Sequence, residues 1–197
     1  MFALIVVFIA ILAVAAVSAD ELHASRTFIE KASVYSNITT TTATATATGG
    51  WVSYKQCDSQ WGANQLGTCS SDTICTAGCA MSSVAMILTT KGASNNPGQL
   101  NSWLKSNGGY SSGCLINWSS VNKFGVITFI AKEPDATESE ICSGLSAGHG
   151  LVANVHNGGH WVLLTGCAGN GVFYVNDPYY STTTYKRSDI VDLAVYH

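Results

Sequence analysis

The chain contains seven cysteines, and the odd number is the tightest constraint on what it can fold into. In an oxidising compartment six would pair as three bridges stapling a small fold, leaving one thiol over for chemistry. The pattern singles out Cys79 as that thiol. It lies in ICTAGCAMSSVAMILTTKG, where Gly78 permits a tight turn and Val84, Ile87 and Leu88 share one helical face. The spacing predicts a helix over 80–90, with Lys91 in its last turn and Gly92 as a left-handed cap. That puts the sulfur at a helix N-terminus, where unsatisfied N–H groups favour thiolate over thiol. The other six, Cys57, Cys69, Cys75, Cys114, Cys142 and Cys167, admit many pairings, and spacing does not choose among them.

The oxidising compartment is itself a reading of the N-terminus. Residues 2–17 are an uninterrupted apolar run followed by Val17-Ser18-Ala19, shorter than the roughly 20 residues a membrane span needs and ending in small residues where a signal peptidase cuts. We expect a signal peptide over 1–19, so that the chain meets a membrane only in transit and ends in the extracellular space or the endolysosomal lumen. An uncleaved anchor is the alternative, because no Lys or Arg precedes the run. The sequons Asn37-Ile38-Thr39 and Asn117-Trp118-Ser119 fit a secreted glycoprotein. The tract TTTTATATATGG at 39–50 has no apolar period and cannot bury a face, so 20–50 is expected to be a propeptide or a Thr/Ala-rich linker. Residues 51–197 then form one domain of ordinary size. A net charge of −3 with 11% charged residues and no basic cluster beyond Lys186-Arg187 excludes a nucleic-acid partner.

Within the domain the pattern places helices first and strands later. Pro97 opens a helix carrying Leu100, Trp103 and Leu104 and closed by Asn107-Gly108-Gly109. A short helix is expected over 118–124, a strand over 125–131, and a helix over 136–147 with Thr137 at its cap and Glu140 three residues on. LVANVH, HWVLLTG, GVFYVND and VDLAVYH read as strands whose consecutive apolar residues require cover on both faces. Segregated helices and antiparallel strands define an α+β fold.

A thiolate becomes a hydrolase nucleophile when an imidazole can exchange protons with it and a third group orients that imidazole. His149, His156 and His160 compete for the imidazole role, and His160 has the most defined setting, at the start of a buried strand. If Gly166 pairs with Gly171 across a four-residue loop, His160 falls directly opposite Asp177, with Cβ atoms about 4.5–5.5 Å apart. A two-residue turn would shift that register by two. The competing constellation, zinc held by His156, His160, Cys75 and Cys79, lacks a C-x-x-C pair, and its two histidines flank a turn instead of sharing a helical face.

The segments YKQCDSQWG, GCAMSSVAMIL, GGHWVLLTG and YVNDP, in that order and spread over 51–197, resemble the papain-like cysteine peptidases of the bacteriocin-processing, double-glycine leader peptidase type and their secreted stand-alone relatives. The resemblance implies a papain-like fold with N-terminal helices packed on an antiparallel sheet. It also implies that Cys79 is the nucleophile, His160 the general base, Asp177 its orienting partner and Gln56 a donor to the oxyanion, with Gln60 as the fallback. It calls for no metal or organic cofactor. The expected activity is hydrolysis of peptide or amide bonds through a Cys79 thioester, on a peptide or peptidoglycan-type substrate. The alternatives are a cell-wall peptide amidase with the same site and an inactive binding module that kept the fold. Where the family commonly reads Gly-Pro-Thr or Gly-Pro-Ser after the cysteine, this chain has Ala80-Met81-Ser82, so Met81 is expected to alter the cleft wall. Cleavage after a double-glycine leader does not carry over without the transporter context.

Overall fold

The computed structural model describes residues 50–197; the expected signal at 1–19 and nearly all of the expected propeptide or linker at 20–50 lie outside the described residues. The domain begins with an irregular segment and a single helical turn, α1 (Ile74–Ala77). Helix α2 (Cys79–Thr90) follows, then α3 (Pro97–Ser106). A two-stranded hairpin, β1 (Tyr110–Ser111) with β2 (Leu115–Ile116), leads into a 3₁₀ turn over Trp118–Phe124. The remainder is β3 (Phe129–Lys132), α4 (Glu138–Ser146), β4 (Gly150–Val155), β5 (His160–Gly169), β6 (Val172–Asn176), β7 (Thr184–Lys186) and β8 (Asp192–Tyr196). Six strands form one antiparallel sheet in the order β3-β8-β4-β5-β6-β7.

Alternation along the strands divides the core in two, because successive side chains point to opposite faces. Val152, Leu163, Ala194 and Tyr196 pack with the apolar residues of α2 and α3. Leu151, Ala153, Val155, Val162, Leu164, Leu193 and Val195 pack on the other face with Ile141 of α4, Phe173, Val175, Tyr185 and Ile190. Every residue of β4 is buried, Asn154 included, as expected of a strand covered on both faces. The N-terminal helices cover one face and α4 the other.

The expected single apolar face of α2 proves to be more than a face: Met81 through Leu88 are all buried. A helix enclosed all round belongs to the core, and Met81, 2% exposed, is a core residue and not part of a cleft wall. The sheet reaches α2 closely at Gly150, where a Cβ would lie 2.7 Å from the Ile87 side chain.

Capping follows the sequence signals. Asn96 caps α3 with Gln99 reaching back, and Thr137 caps α4 with Glu140 doing the same, each satisfying two otherwise orphaned N–H groups. Gly92, at φ +98°, follows the last turn of α2. The strand expected over 125–131 is shorter and later, at Phe129–Lys132. Gly125 takes a left-handed φ of 70° to end the 3₁₀ turn, and β3 is an edge strand with a pairing partner on one side.

The disulfides join Cys57 to Cys75, Cys69 to Cys114 and Cys142 to Cys167. The first ties the irregular N-terminal segment to α1, the second ties the Leu66–Cys69 loop to the β1–β2 hairpin, and the third ties α4 to β5. Cys79 is the free cysteine among the described residues.

Gly78, the hinge between α1 and α2, has φ −86° and ψ 13°, which any residue can adopt. Space is what requires glycine there: a Cβ would sit 2.4 Å from the Ile74 carbonyl oxygen and 2.9 Å from its Cγ2. Gly78→Ala is therefore expected to destabilise the domain by about 1–3 kcal/mol, read as a lower urea midpoint at unchanged m-value.

Candidate active site

Cys79 is the first residue of α2, half-buried. The N–H groups of a first helical turn have no partner within the helix, so they point their partial positive charge at whatever occupies this end. α2 starts where it does because α1 closes against Gly78, whose N–H donates to the Ile74 carbonyl.

His160 opens β5 and is 6% exposed. Its Nε2–H donates to Asp177 Oδ1 at 2.8 Å, and Cys79 lies close enough to interact electrostatically with the ring. Because Nε2 is committed to Asp177, Nδ1 is the nitrogen left for the sulfur. Burial alone would disfavour the imidazolium, but the interactions with Asp177 and Cys79 outweigh it, pushing the His160 pKa up from 6.5 to about 9.

Asp177 is 3% exposed and accepts four hydrogen bonds. Besides His160, the backbone N–H groups of Tyr179 and Tyr180 donate to Oδ1, each at 2.8 Å, and the Tyr185 hydroxyl donates to Oδ2 at 3.0 Å. Burial would raise its pKa, yet the hydrogen bonds from His160, Tyr179 and Tyr180 hold it below the ordinary carboxylate value of 3.8. Burial and the neighbouring Asp177 push Tyr185 up to about 12, so its hydroxyl remains a donor.

The expected register that pairs His160 with Asp177 is not the one the sheet uses. The β5–β6 connection is the two-residue turn Asn170-Gly171, both at positive φ, so Gly169 faces Val172. Irregularities between Cys167 and Gly169 and between Leu164 and Gly166 then bring Leu163 opposite Asn176. Continuing that register sets Asp177 level with Val162, and His160 meets it on the diagonal. A diagonal neighbour is farther away at Cβ, but an imidazole spans the gap.

Gln56 is 2% exposed. Its Nε2 donates to the Cys75 carbonyl at 2.6 Å, one turn before Cys79, and its Oε1 is buried without a hydrogen-bond partner. Gln60, the fallback, is exposed. The segment carrying Gln56 is pinned to the one carrying Asp177: Gln56 N–H donates to the Pro178 carbonyl at 2.8 Å and Lys55 Nζ to the Asp177 carbonyl at 2.7 Å. Asn176 Nδ2 in turn reaches the Trp51 and Val52 carbonyls.

Sequence reasoning missed Tyr185 and Lys55. Tyr185 stands opposite Phe173 on β7, a three-residue strand in a Thr-rich run that shows no apolar period. The lone aromatic in TTTYKR was the available signal. His149 is buried beside His197, with ring centroids 4.7 Å apart, and takes no part in the Cys79 cluster. His156 lies near it, its Nε2 3.3 Å from the Tyr185 hydroxyl. The zinc constellation loses a ligand, because Cys75 is bonded to Cys57.

The family model of the Peptidase_C39 like family matches residues 52–196. The chain belongs to that family, a class of cysteine peptidases. A candidate C39-like peptidase from Bacillus anthracis is similar in structure, with 13% sequence identity, a TM-score of 0.49, and coverage of 78% of this chain and 98% of that one. No curated protein matches this chain.

The charge pair makes stability depend on pH with a definite sign. His160 has a raised pKa, so its contribution is complete below 6.5 and is lost as pH rises through about 9. Asp177 has a lowered pKa, so its contribution is present above 3.8 and is lost as pH falls through the depressed value. Asp177→Ala should cost about 3 kcal/mol near pH 6, where both groups are charged, and distinctly less at pH 10, as measured by urea unfolding at the two pH values.

Proposed function

We propose that the protein is a secreted cysteine peptidase that cleaves peptide or amide bonds by way of a Cys79 thioester. The observation that carries this reading is the imidazole of His160, hydrogen-bonded to a buried carboxylate and interacting with the free cysteine at the start of a helix. Three bridges and one free thiol support an oxidising destination.

The Cys79 sulfur attacks the substrate carbonyl carbon and its proton resides on His160. The negative charge that develops on the carbonyl oxygen is met by the backbone N–H of Cys79 and by the Gln56 amide, whose second Nε2–H is left over from the Cys75 carbonyl. The C–N bond breaks as His160 delivers the proton to the leaving amine. Water then attacks the thioester, giving a proton to His160, and the C–S bond breaks to release the acid. Asp177 keeps the ring turned so that Nδ1 faces the sulfur throughout. These steps draw on the chain's own residues and on water.

Two measurements test the reading. Iodoacetamide should alkylate Cys79 in the folded, oxidised protein faster than a free thiol at neutral pH, and mapping of Cys79 into a disulfide or ordinary reactivity would sink the proposal. On a peptide panel that includes cell-wall peptides, Cys79→Ser should lower kcat/KM by on the order of 10³ or more. Gln56→Ala should lower kcat by about 10²–10³ with little change in KM. Turnover confined to the cell-wall members would identify an amidase.

A further inference from the structure

We propose that Tyr179, Tyr180 and His156 form an aromatic ledge on the leaving-group side of the cleft, and that it accepts substrates with an aromatic or large apolar residue immediately after the scissile bond. The inference rests on the cysteine-peptidase reading and adds a substrate class to it.

Three observations carry it. The first is exposure. Tyr179 and Tyr180 are 51% and 43% exposed, although they sit within three residues of a buried carboxylate, and contiguous exposed apolar surface is what a binding site offers. The second is position. The Tyr180 ring lies edge-on to His160 with centroids 5.2 Å apart, and the His156 ring stacks near it at 5.6 Å with planes 30° apart. Tyr180 also touches His156 at 5.1 Å and Tyr179 at 4.9 Å. His160 is the group that protonates the leaving amine, so the residue bearing that amine must come within hydrogen-bond reach of its ring. The side chain of that residue then meets the exposed rings gathered around His160.

The third observation is rigidity. The N–H groups of Tyr179 and Tyr180 both donate to the Asp177 oxygen that orients His160, and Lys55 Nζ donates to the carbonyls of Asp177 and Tyr180. The His156 carbonyl accepts from the Gly159 N–H at 3.1 Å, and its Nε2 lies 3.3 Å from the Tyr185 hydroxyl. The backbone beneath the rings is therefore fixed before substrate arrives, which lowers the entropy lost on docking. The charge bordering the ledge is the Lys55 ammonium, while Asp177 already accepts four hydrogen bonds. That field disfavours Lys or Arg at the same place and leaves ring stacking and apolar burial as the attraction.

Partition of the acyl-enzyme tests the ledge. An N-acyl amino acid p-nitrophenyl ester acylates Cys79 with release of nitrophenol, and the thioester then divides between water and an added amino acid amide. In aminolysis the amine nitrogen bonds to the carbonyl carbon, the C–S bond breaks and His160 takes the amine proton. Phe-amide should capture the acyl group about tenfold better than Gly-amide, and Arg-amide no better than Gly-amide. Tyr180→Ala should erase most of that advantage, and Tyr180→Phe should keep it, with thermal unfolding showing both variants folded. Release of nitrophenol with equal capture of Phe-, Gly- and Arg-amides overturns the ledge and leaves the peptidase reading standing. Absence of acylation at Cys79 overturns the peptidase reading and the ledge with it.

Discussion

A buried carboxylate with four donors around it is the point on which the rest of this structure turns. An isolated Asp177 anion in this position would be costly, since a charge taken out of water must recover its hydration from fixed partners. Here the imidazole of His160, two backbone N–H groups and the Tyr185 hydroxyl supply them. The four donors come from three parts of the fold. His160 marks the start of β5, the turn of Tyr179 and Tyr180 follows β6, and Tyr185 is carried by β7, so the edge of the sheet closes around one side chain. The cost of burying the charge is thereby converted into orientation of the imidazole.

Cys79 is placed by a separate device. α1, Gly78 and α2 form a helix–hinge–helix in which the absence of a Cβ lets the Ile74 carbonyl approach. The Cys57–Cys75 bridge fastens this hinge to the segment carrying Gln56. Gln56 and Lys55 then bind the carbonyls of Pro178 and Asp177, which couples the helix end to the carboxylate loop through a few residues of irregular chain. Cross-links and backbone hydrogen bonds of this sort preorganise a site, and preorganised donors are what stabilise developing charge cheaply.

Much of this was legible in the sequence wherever local chemistry decided the outcome. The caps at Asn96 and Thr137, the proline opening α3 and the paired strands of the last third follow from residue pattern and appear where that pattern puts them. Cys79 emerged from a count and a helix start, and the structure leaves it unbridged. The His160–Asp177 contact was anticipated through the wrong register: the Asn170-Gly171 turn and two strand irregularities replace the four-residue loop. Bulges leave little trace in a single sequence, because they are selected by packing on both faces of the sheet. Gln56 had no local signal and came from family resemblance. Tyr185 and the whole of β7 escaped because a Thr-rich run carries no apolar period. Met81 was expected at the cleft wall because it departs from the family's residues after the cysteine, a comparison that carries no information on burial; it is 2% exposed.

Asp177 and Cys79 together hold His160 as an imidazolium past neutrality. The direct measurement is an NMR titration of the His160 ring in the intact protein. The expected midpoint is near 9, moving toward the ordinary 6.5 when Asp177 is replaced by Ala. A midpoint at or below 6.5 in the unaltered protein, unmoved by that replacement, would contradict it.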